Sequence, residues 1–422
     1  MLPVTEAESI ILSLVQPLDE QLDTEVVELS AATGRILAAP VTSQLDFPHW
    51  DNSAMDGYAV RYADVQSCHA SQPAVLEIIE EIPAGYQPQR EVQPGQASRI
   101  LTGACLPKGA DTVVIQEKTR REDNRVLIFE APEPQAFVRR RAAFYQAGMP
   151  LLPPGVTIGA PEIAVLAAAQ CTQLTVYRRP TVVIFSTGNE LVTPEQLLQP
   201  GQIVDSNQYA LAAFVLQAGG VPITLGIVAD ELEALRAKIR QAISAADIVL
   251  STGGVSVGDY DYVDQILTEM GAEIHLRSVA VKPGKPLTVA TFPSCEQVNQ
   301  KGAKDSVLYF GLPGNPVSAL VSCWRFVQPA LRKLSGLPEA FWKPTFVQAY
   351  TRHELRATSQ RETYLWGHLQ LVDGCYEFHL ASGSHSSGNL INLAQTSGLA
   401  VVPVGKTSIA AGESVQVLQI SH

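Results

Sequence analysis

Residues 247–262 read DIVLSTGGVSVGDYDY, and this stretch decides the architecture. An apolar run of strand length, Ile248-Val249-Leu250, ends in two hydroxyls and a glycine pair, Ser251-Thr252-Gly253-Gly254, and leads into a helical pattern near 261–270. Counterparts stand on both sides. TVVIF (181–185) precedes STGNE and a helix near 206–217 that ends at Gly219-Gly220; VPITLGIV (221–228) precedes a helix near 231–245; SVLYFGLPGNP (306–316) leads into a helix near 316–334. Strand-like runs alternating with helical ones predict a doubly wound, mostly parallel α/β domain over 180–336.

Outward from that domain the periodicity changes. Residues 5–16 and 23–38 place apolar residues at helical spacing, Ile10, Ile11, Leu14 and Val15 and then Val26, Val27, Leu29, Ile36 and Leu37. From Val41 to about Ala147 short β-type runs (VLEIIEEI, ADTVVIQ, RVLIFE) are cut by Pro and Gly, which predicts a small β-rich module. An alanine-rich helix is expected near 161–170, and 342–422 reads as a small C-terminal β domain. At ~150 residues per domain, 422 residues allow two to four domains.

Composition excludes several classes of function. Thirty Lys and Arg against 42 Asp and Glu leave a net charge of -12, and the longest basic run is Arg139-Arg140-Arg141, so the positive field that nonspecific nucleic-acid binding needs is missing. The hydrophobic fraction of 46% supplies ample core and rules out disorder as the main state. Six cysteines lie far apart with no C-x-x-C pair, which reads as reduced thiols. The N-terminus carries acids where a secretory leader needs cations, and no apolar run approaches the ~18 residues of a membrane span, so no membrane association and a cytoplasmic location are expected.

Three strands of the central domain end in glycine loops: Ser186-Thr187-Gly188, Ser251-Thr252-Gly253-Gly254 and Gly311-Leu312-Pro313-Gly314-Asn315. In open α/β sheets these carboxyl ends share one crevice, and the helix N-termini that follow attract anions, so a phosphorylated ligand is the physical expectation. The plainer alternative is that Gly merely makes the turn. Lys282-Pro283-Gly284-Lys285-Pro286 sets two cations on a stiff turn, suited to a fixed phosphate contact. Glu190, Asp230 and Asp261 follow strand ends, where carboxylates hold Mg²⁺ or simply cap helices. Asp46, Asp51 and Asp56, five apart in a polar and aromatic loop that also holds Asn52 and Ser53, fit neither helix nor strand period. Arg99 to Ala104 is a strand followed by the hydroxyl–Gly turn of Thr102. No G-x-S-x-G, P-loop or H-E-x-x-H motif occurs.

Taken together, DNSAMDGYAVR (51–61), RILTGA (99–104), STGNEL (186–191), GQIVDSN (201–207), STGGVSVGDYDY (251–262), VKPGKP (281–286) and GLPGNPVSA (311–319) resemble the MoeA / gephyrin E-domain family, which inserts molybdenum during molybdenum cofactor synthesis. The resemblance implies four subdomains: 1–45 plus 148–179, a β-rich lobe at 46–147, the central domain at 180–336, and a C-terminal β-barrel-like domain at 342–422. It implies a homodimer with the active cleft between the central domain of one subunit and the N-terminal lobe of the other. The implied reaction takes adenylylated molybdopterin and molybdate, gives molybdenum cofactor with release of AMP, and requires Mg²⁺; a molybdopterin adenylyltransferase is the implied protein partner.

Carried over by motif, catalytic roles fall on Asp56, Thr102, Glu190 and Asp261, and metal contacts on Glu190, Asp230 and Asp261. Substrate contacts fall on Asp51, Asn52, Ser53, Ser186, Thr187, Gly188, Asp230, Ser251, Gly253, Gly254, Ser256, Gly258, Arg277, Lys282, Lys285, Pro313, Gly314, Asn315 and Pro316. Two departures stand out. Ala142-Ala143-Phe144 replaces the family's usual Gly, acid and Asp, and Trp366 stands where an arginine is common. The first, with the scaffolding that gephyrin-type relatives perform, motivates a second reading as a noncatalytic binding or scaffold protein. A third reading, of a CinA-like hydrolase sharing only the central domain, is opposed by DNSAMDGYAVR.

Overall fold

The computed structural model describes residues 1–254, 262–293, 306–358 and 360–420, with Tyr262 described by its backbone alone. The chain forms two compact units, one of Met1–Ala39, Pro154–Gly159 and Thr175–His422, the other of Pro40–Pro153 and Ala160–Leu174.

In the first unit, β1 (Thr181–Thr187), β2 (Val221–Val228), β3 (Ile248–Thr252), β4 (Glu273–Ser278), β5 (Pro286–Pro293) and β6 (Ser306–Leu312) form one sheet in the order β2-β1-β3-β6-β5-β4. The first four in that order are mutually parallel, β5 runs antiparallel to β6, and β4 pairs antiparallel with β5 and so returns to the common direction. Strand alternation sorts the side chains. Val182, Ile184, Ile248, Leu250, Leu308 and Phe310 enter one core with Leu211 and Phe214 of helix Asn207–Gln217 and Ile11 of helix Val4–Leu14. Val183, Phe185, Val249 and Tyr309 enter the other, with Leu235 and Ile239 of helix Leu232–Ala245. Covering both faces explains why these strands read as unbroken apolar runs.

The expected helix at 316–334 is interrupted: Pro316–Ser322 and Gln328–Leu334 are joined by a π-helical turn, Cys323–Val327. The helix expected over 23–38 is replaced by a strand, Thr24–Glu28, and a single 3₁₀ turn, Leu29–Ala31. β-branched Val26 and Val27 favour extended backbone, and Gly34 at φ +75° breaks any helix, so the spacing alone misleads.

The C-terminal region closes into a five-stranded barrel of Phe346–Thr351, Glu362–Val372, Cys375–Leu380, Gly398–Val402 and Ser414–Gln419. One short pairing, Val281↔Glu362 and Lys282↔Thr363, ties the lysine turn to that barrel. The second unit holds a six-stranded sheet in which Gly57–Val60 lies between Thr112–Ile115 and Gln96–Ile100. Among the described residues, no helix is long and apolar enough to cross a membrane.

Candidate functional site

A cavity of about 1020 Å³ opens where β1, β3 and β6 end. Its floor is backbone. A Cβ added at Gly253 would stand 2.3 Å from the Thr187 carbonyl oxygen, and Gly253 has φ +87°, so only glycine lets these two loops approach. A Cβ at Gly314 would stand 3.7 Å from the Gly253 Cα, so the third glycine loop packs on the second. Thr187 Oγ1 lies at this junction, buried and without a hydrogen-bond partner. An orphaned buried hydroxyl costs about 1–3 kcal/mol, a cost that a ligand with polar atoms would offset.

The walls carry charge. Lys282, Lys285 and Arg361 line the cavity, and among the described residues neither lysine pairs with a carboxylate. Among the described residues, Glu190 and Asp205 are the carboxylates on the lining. Asp205 is 3% exposed and accepts bonds from the backbone N–H and side-chain amide of Gln208. Two more bonds brace the rim: Asn207 Nδ2 donates to the Gly314 carbonyl (2.8 Å), and Asn315 Nδ2 donates to Ser387 Oγ (3.0 Å). Helices Asn207–Gln217 and Pro316–Ser322 begin at this cavity, adding unpaired N–H groups and the positive ends of their dipoles.

Trp366 belongs to the same wall. It is 1% exposed, its Nε1 donates to Asn392 Oδ1 (3.0 Å), and its ring centroid lies 4.6 Å from that of His385. His385 Nε2 faces the Ala381 carbonyl at 2.8 Å, which requires the proton on Nε2.

Thr187, Glu190, Gly253, Gly254, Lys282, Lys285, Pro313, Gly314, Asn315 and Pro316 thus converge, as the sequence led one to expect. Other expected contacts are absent from this lining. Ser186 and Ser251 are buried beneath it with their hydroxyls spent: Ser186 Oγ accepts from Thr252 Oγ1 (3.0 Å), and Ser251 Oγ accepts from the Tyr309 hydroxyl (2.6 Å). Gly188 makes the turn under Glu190, whose carboxylate a Cβ there would strike at 2.7 Å. Asp230 is exposed, its N–H bonded to Asn189 Oδ1, and Arg277 is committed to Asp264 at 2.7 Å. Asp261, Ser256 and Gly258 lie outside the described residues. Asp205, Asn207, Arg361, His385 and Ser387 were missed as individual site residues. The motif GQIVDSN held two of them, and the pairing of Val281–Lys282 with Glu362–Thr363 brings Arg361 in.

Of the described residues expected to hold Mg²⁺, Glu190 lines the cavity and Asp230 does not, and among the described residues no three His, Cys, Asp or Glu side chains cluster. Glu190 and Asp205 nevertheless fit this ion, which takes one or two protein carboxylates and completes its shell with substrate oxygens and water.

The second unit carries its own polar cluster. Asp56 Oδ1 accepts both the backbone N–H and the hydroxyl of Thr102, each at 2.7 Å. The backbone bond first, then the hydroxyl, hold the Asp56 carboxyl below its ordinary value. Asp51 accepts from Arg140 Nη1 (2.6 Å) and the Arg141 N–H (2.7 Å); burial pushes its pKa up, but these bonds outweigh it and the net shift is downward. Asn52 Oδ1 is buried without a partner, and Ser53 Oγ donates to the Met55 carbonyl (2.5 Å). Ala142 has φ +61°, the region glycine favours, and Phe144 is exposed with its ring 6.1 Å from that of Phe47.

Three family models match the chain: the MoeA N-terminal region (domain I and II) over residues 2–169, a probable molybdopterin binding domain over 183–333, and the MoeA C-terminal region (domain IV) over 348–420. A molybdopterin molybdenumtransferase of Nostoc sp. is 62% identical over 417 residues, covering 99% of this chain and 93% of the relative. One of Haemophilus influenzae is 32% identical, covering 100% of this chain and 99% of the relative. The crystal structure of a molybdopterin biosynthesis MoeA protein from Pyrococcus horikoshii superposes with a TM-score of 0.82 at 26% identity, covering 100% of both chains.

Proposed function

We propose, from the premise that this chain belongs to the MoeA family and is a molybdopterin molybdenumtransferase of molybdenum cofactor biosynthesis, that the glycine-floored cavity is where its anionic substrates react. Adenylylated molybdopterin places its phosphoanhydride over Thr187, Gly253 and Gly314, and molybdate takes the side of Lys282, Lys285 and Arg361. Cleavage of the anhydride releases AMP, and the charge that develops on its oxygens meets backbone N–H groups and lysines already in place. Glu190 and Asp205 would hold Mg²⁺, which when bound neutralises charge on the leaving phosphate. Asp56, a carboxylate at neutral pH that its two Thr102 donors hold in place, orients the incoming oxygen nucleophile instead of taking its proton. In this reading two copies of the chain act together, the cavity of one with the Asp56 cluster of the other, and a molybdopterin adenylyltransferase supplies the substrate.

The observation that carries this reading is the pair of lysines on one turn that, among the described residues, pair with no carboxylate, facing a floor that holds an unpartnered hydroxyl. Lys282→Ala with Lys285→Ala should cut AMP release from adenylylated molybdopterin and molybdate by about 10²-fold or more. Unchanged release would refute the assignment.

A further inference from the structure

A second cavity, of about 450 Å³, lies at the other end of the same sheet, lined by Pro180 just before β1 and by Ala218 and Gly219 just after helix Asn207–Gln217. Four arginines line it and no carboxylate does. Two of them are neutralised from behind. Arg35 pairs with Glu25 and donates to the Tyr177 carbonyl (2.8 Å); Arg178 pairs with Asp23 (2.7 Å) and with both oxygens of Asp247 (2.7 and 2.9 Å). The other two are not. Among the described residues Arg179 pairs with no carboxylate, and Arg332 donates only to the Lys343 carbonyl (3.0 Å). Burial lowers the Arg332 pKa, because its guanidinium has lost water without gaining an opposite charge. Charges that lose water in folded proteins are normally paired, so the half-buried Arg332 is the unusual one, in a chain of net charge -12 where carboxylates were plentiful, and the exposed Arg179 stands beside it on the same lining.

The rest of the lining is aromatic and amide. Trp324 is carried by the π-helical turn Cys323–Val327, an irregularity that often marks a functional position. Tyr177 packs its ring on Gly336, where a Cβ would come within 2.5 Å of it. Gln217 and Gln328 add amide groups able to meet ring heteroatoms. A guanidinium pair suits a phosphate, planar aromatic walls suit a base, and the volume suits one nucleotide but not two.

We propose that this cavity is a second ligand site, separate from the substrate cavity, that binds a mononucleotide with its phosphate on Arg179 and Arg332 and its base against Trp324 and Tyr177. The assignment stands on the lining itself and does not need the transferase reaction. Because that reaction, as proposed, frees AMP, the site would also let product report back on the enzyme.

The test is calorimetric titration of the full-length protein with AMP, adenosine and inorganic phosphate. Binding of AMP should persist in the Lys282→Ala, Lys285→Ala protein, should weaken at least about tenfold in Arg179→Ala, and should exceed that of adenosine and of phosphate. Quenching of tryptophan fluorescence by AMP should vanish in Trp324→Phe while its binding remains. Arg179 is exposed, so its substitution leaves the fold intact, and Arg332→Lys provides a second variant that keeps the charge. Loss of all AMP binding in the double lysine variant, equal affinity in Arg179→Ala, or no AMP binding at all would each overturn the proposal. Failure of the transferase reading would instead show as unchanged AMP release in the lysine variant, a separate readout.

Discussion

The cavity of the central sheet and the Asp56 cluster of the other unit handle charge in opposite ways. The cavity gathers donors that, among the described residues, are paired with no carboxylate: Lys282, Lys285, Arg361, two helix N-termini and the orphaned Thr187 hydroxyl, drawn from five separate stretches of chain. The Asp56 cluster is an anion already supplied with donors, both of them from Thr102. The first is preorganised for a ligand to complete; the second is complete in itself and presents a fixed carboxylate. They also differ in tightness. A Cβ at Gly253 collides with backbone, whereas one at Gly103, beside Thr102, meets nothing within 4 Å.

The sharpest way to break this contrast is to remove the fixed charge. Asp56→Asn keeps the shape of the cluster and should lower the rate of AMP release by about 10²–10⁴-fold, the range for a positioned acid–base or orienting carboxylate, with an unchanged melting temperature. If steady-state kinetics showed near-normal kcat, the cavity would be sufficient alone and the two regions would not share a substrate.

The glycine pair sharpens the comparison on stability. Gly253→Ala should destabilise the first unit by roughly 3 kcal/mol, from backbone overlap and left-handed strain together. Gly103→Ala faces only the cost of φ +83°, about 1 kcal/mol. Urea unfolding of the two variants checks the ordering; equal losses would mean that the floor relaxes and is not rigidly built. Ala142 offers the reverse experiment. It sits at φ +61°, so Ala142→Gly should stabilise by about 0.5 kcal/mol.

The sequence made the central fold readable because three of its parallel strands, β1, β3 and β6, are buried on both faces and stop at glycine loops, two signals that coincide at Leu250-Ser251-Thr252-Gly253. It made Lys282, Lys285 and the three loops readable for the same reason. What it hid follows from geometry that strings of letters do not carry. Ser186 and Ser251 are adjacent to the site in sequence, yet their hydroxyls bond inside the sheet. Arg361, His385 and Ser387 lie far along the chain and reach the cavity only because the barrel closes and Val281–Lys282 pairs with Glu362–Thr363. Trp366, which the resemblance marks as a departure, stands on a barrel strand but is buried in the core shared with the central sheet, with its indole N–H satisfied.

The smallest expected effect separates the two donors of Asp56. Thr102→Val deletes the hydroxyl but keeps the backbone N–H and the β-branched shape. The backbone bond is the largest of the causes that hold the carboxyl below its ordinary value of 3.8, and the Arg99 charge adds to it, so in the variant the pKa should rise and still remain under that value. The sign for stability follows from the direction of the shift: a carboxyl whose pKa is depressed on folding adds stability at pH above the unfolded value and loses it as pH falls through the folded one. The consequence is confined to acid conditions, below about pH 4. At neutral pH Asp56 is ionised with or without the hydroxyl, so turnover there should change only through geometry, by a few-fold, while the acid limb of the rate profile moves to higher pH. A carbon-13 titration of the Asp56 carboxyl in both proteins measures the shift directly. An identical titration curve in the variant would mean that the hydroxyl holds no proton against Oδ1, and the cluster would then rest on the Thr102 backbone alone.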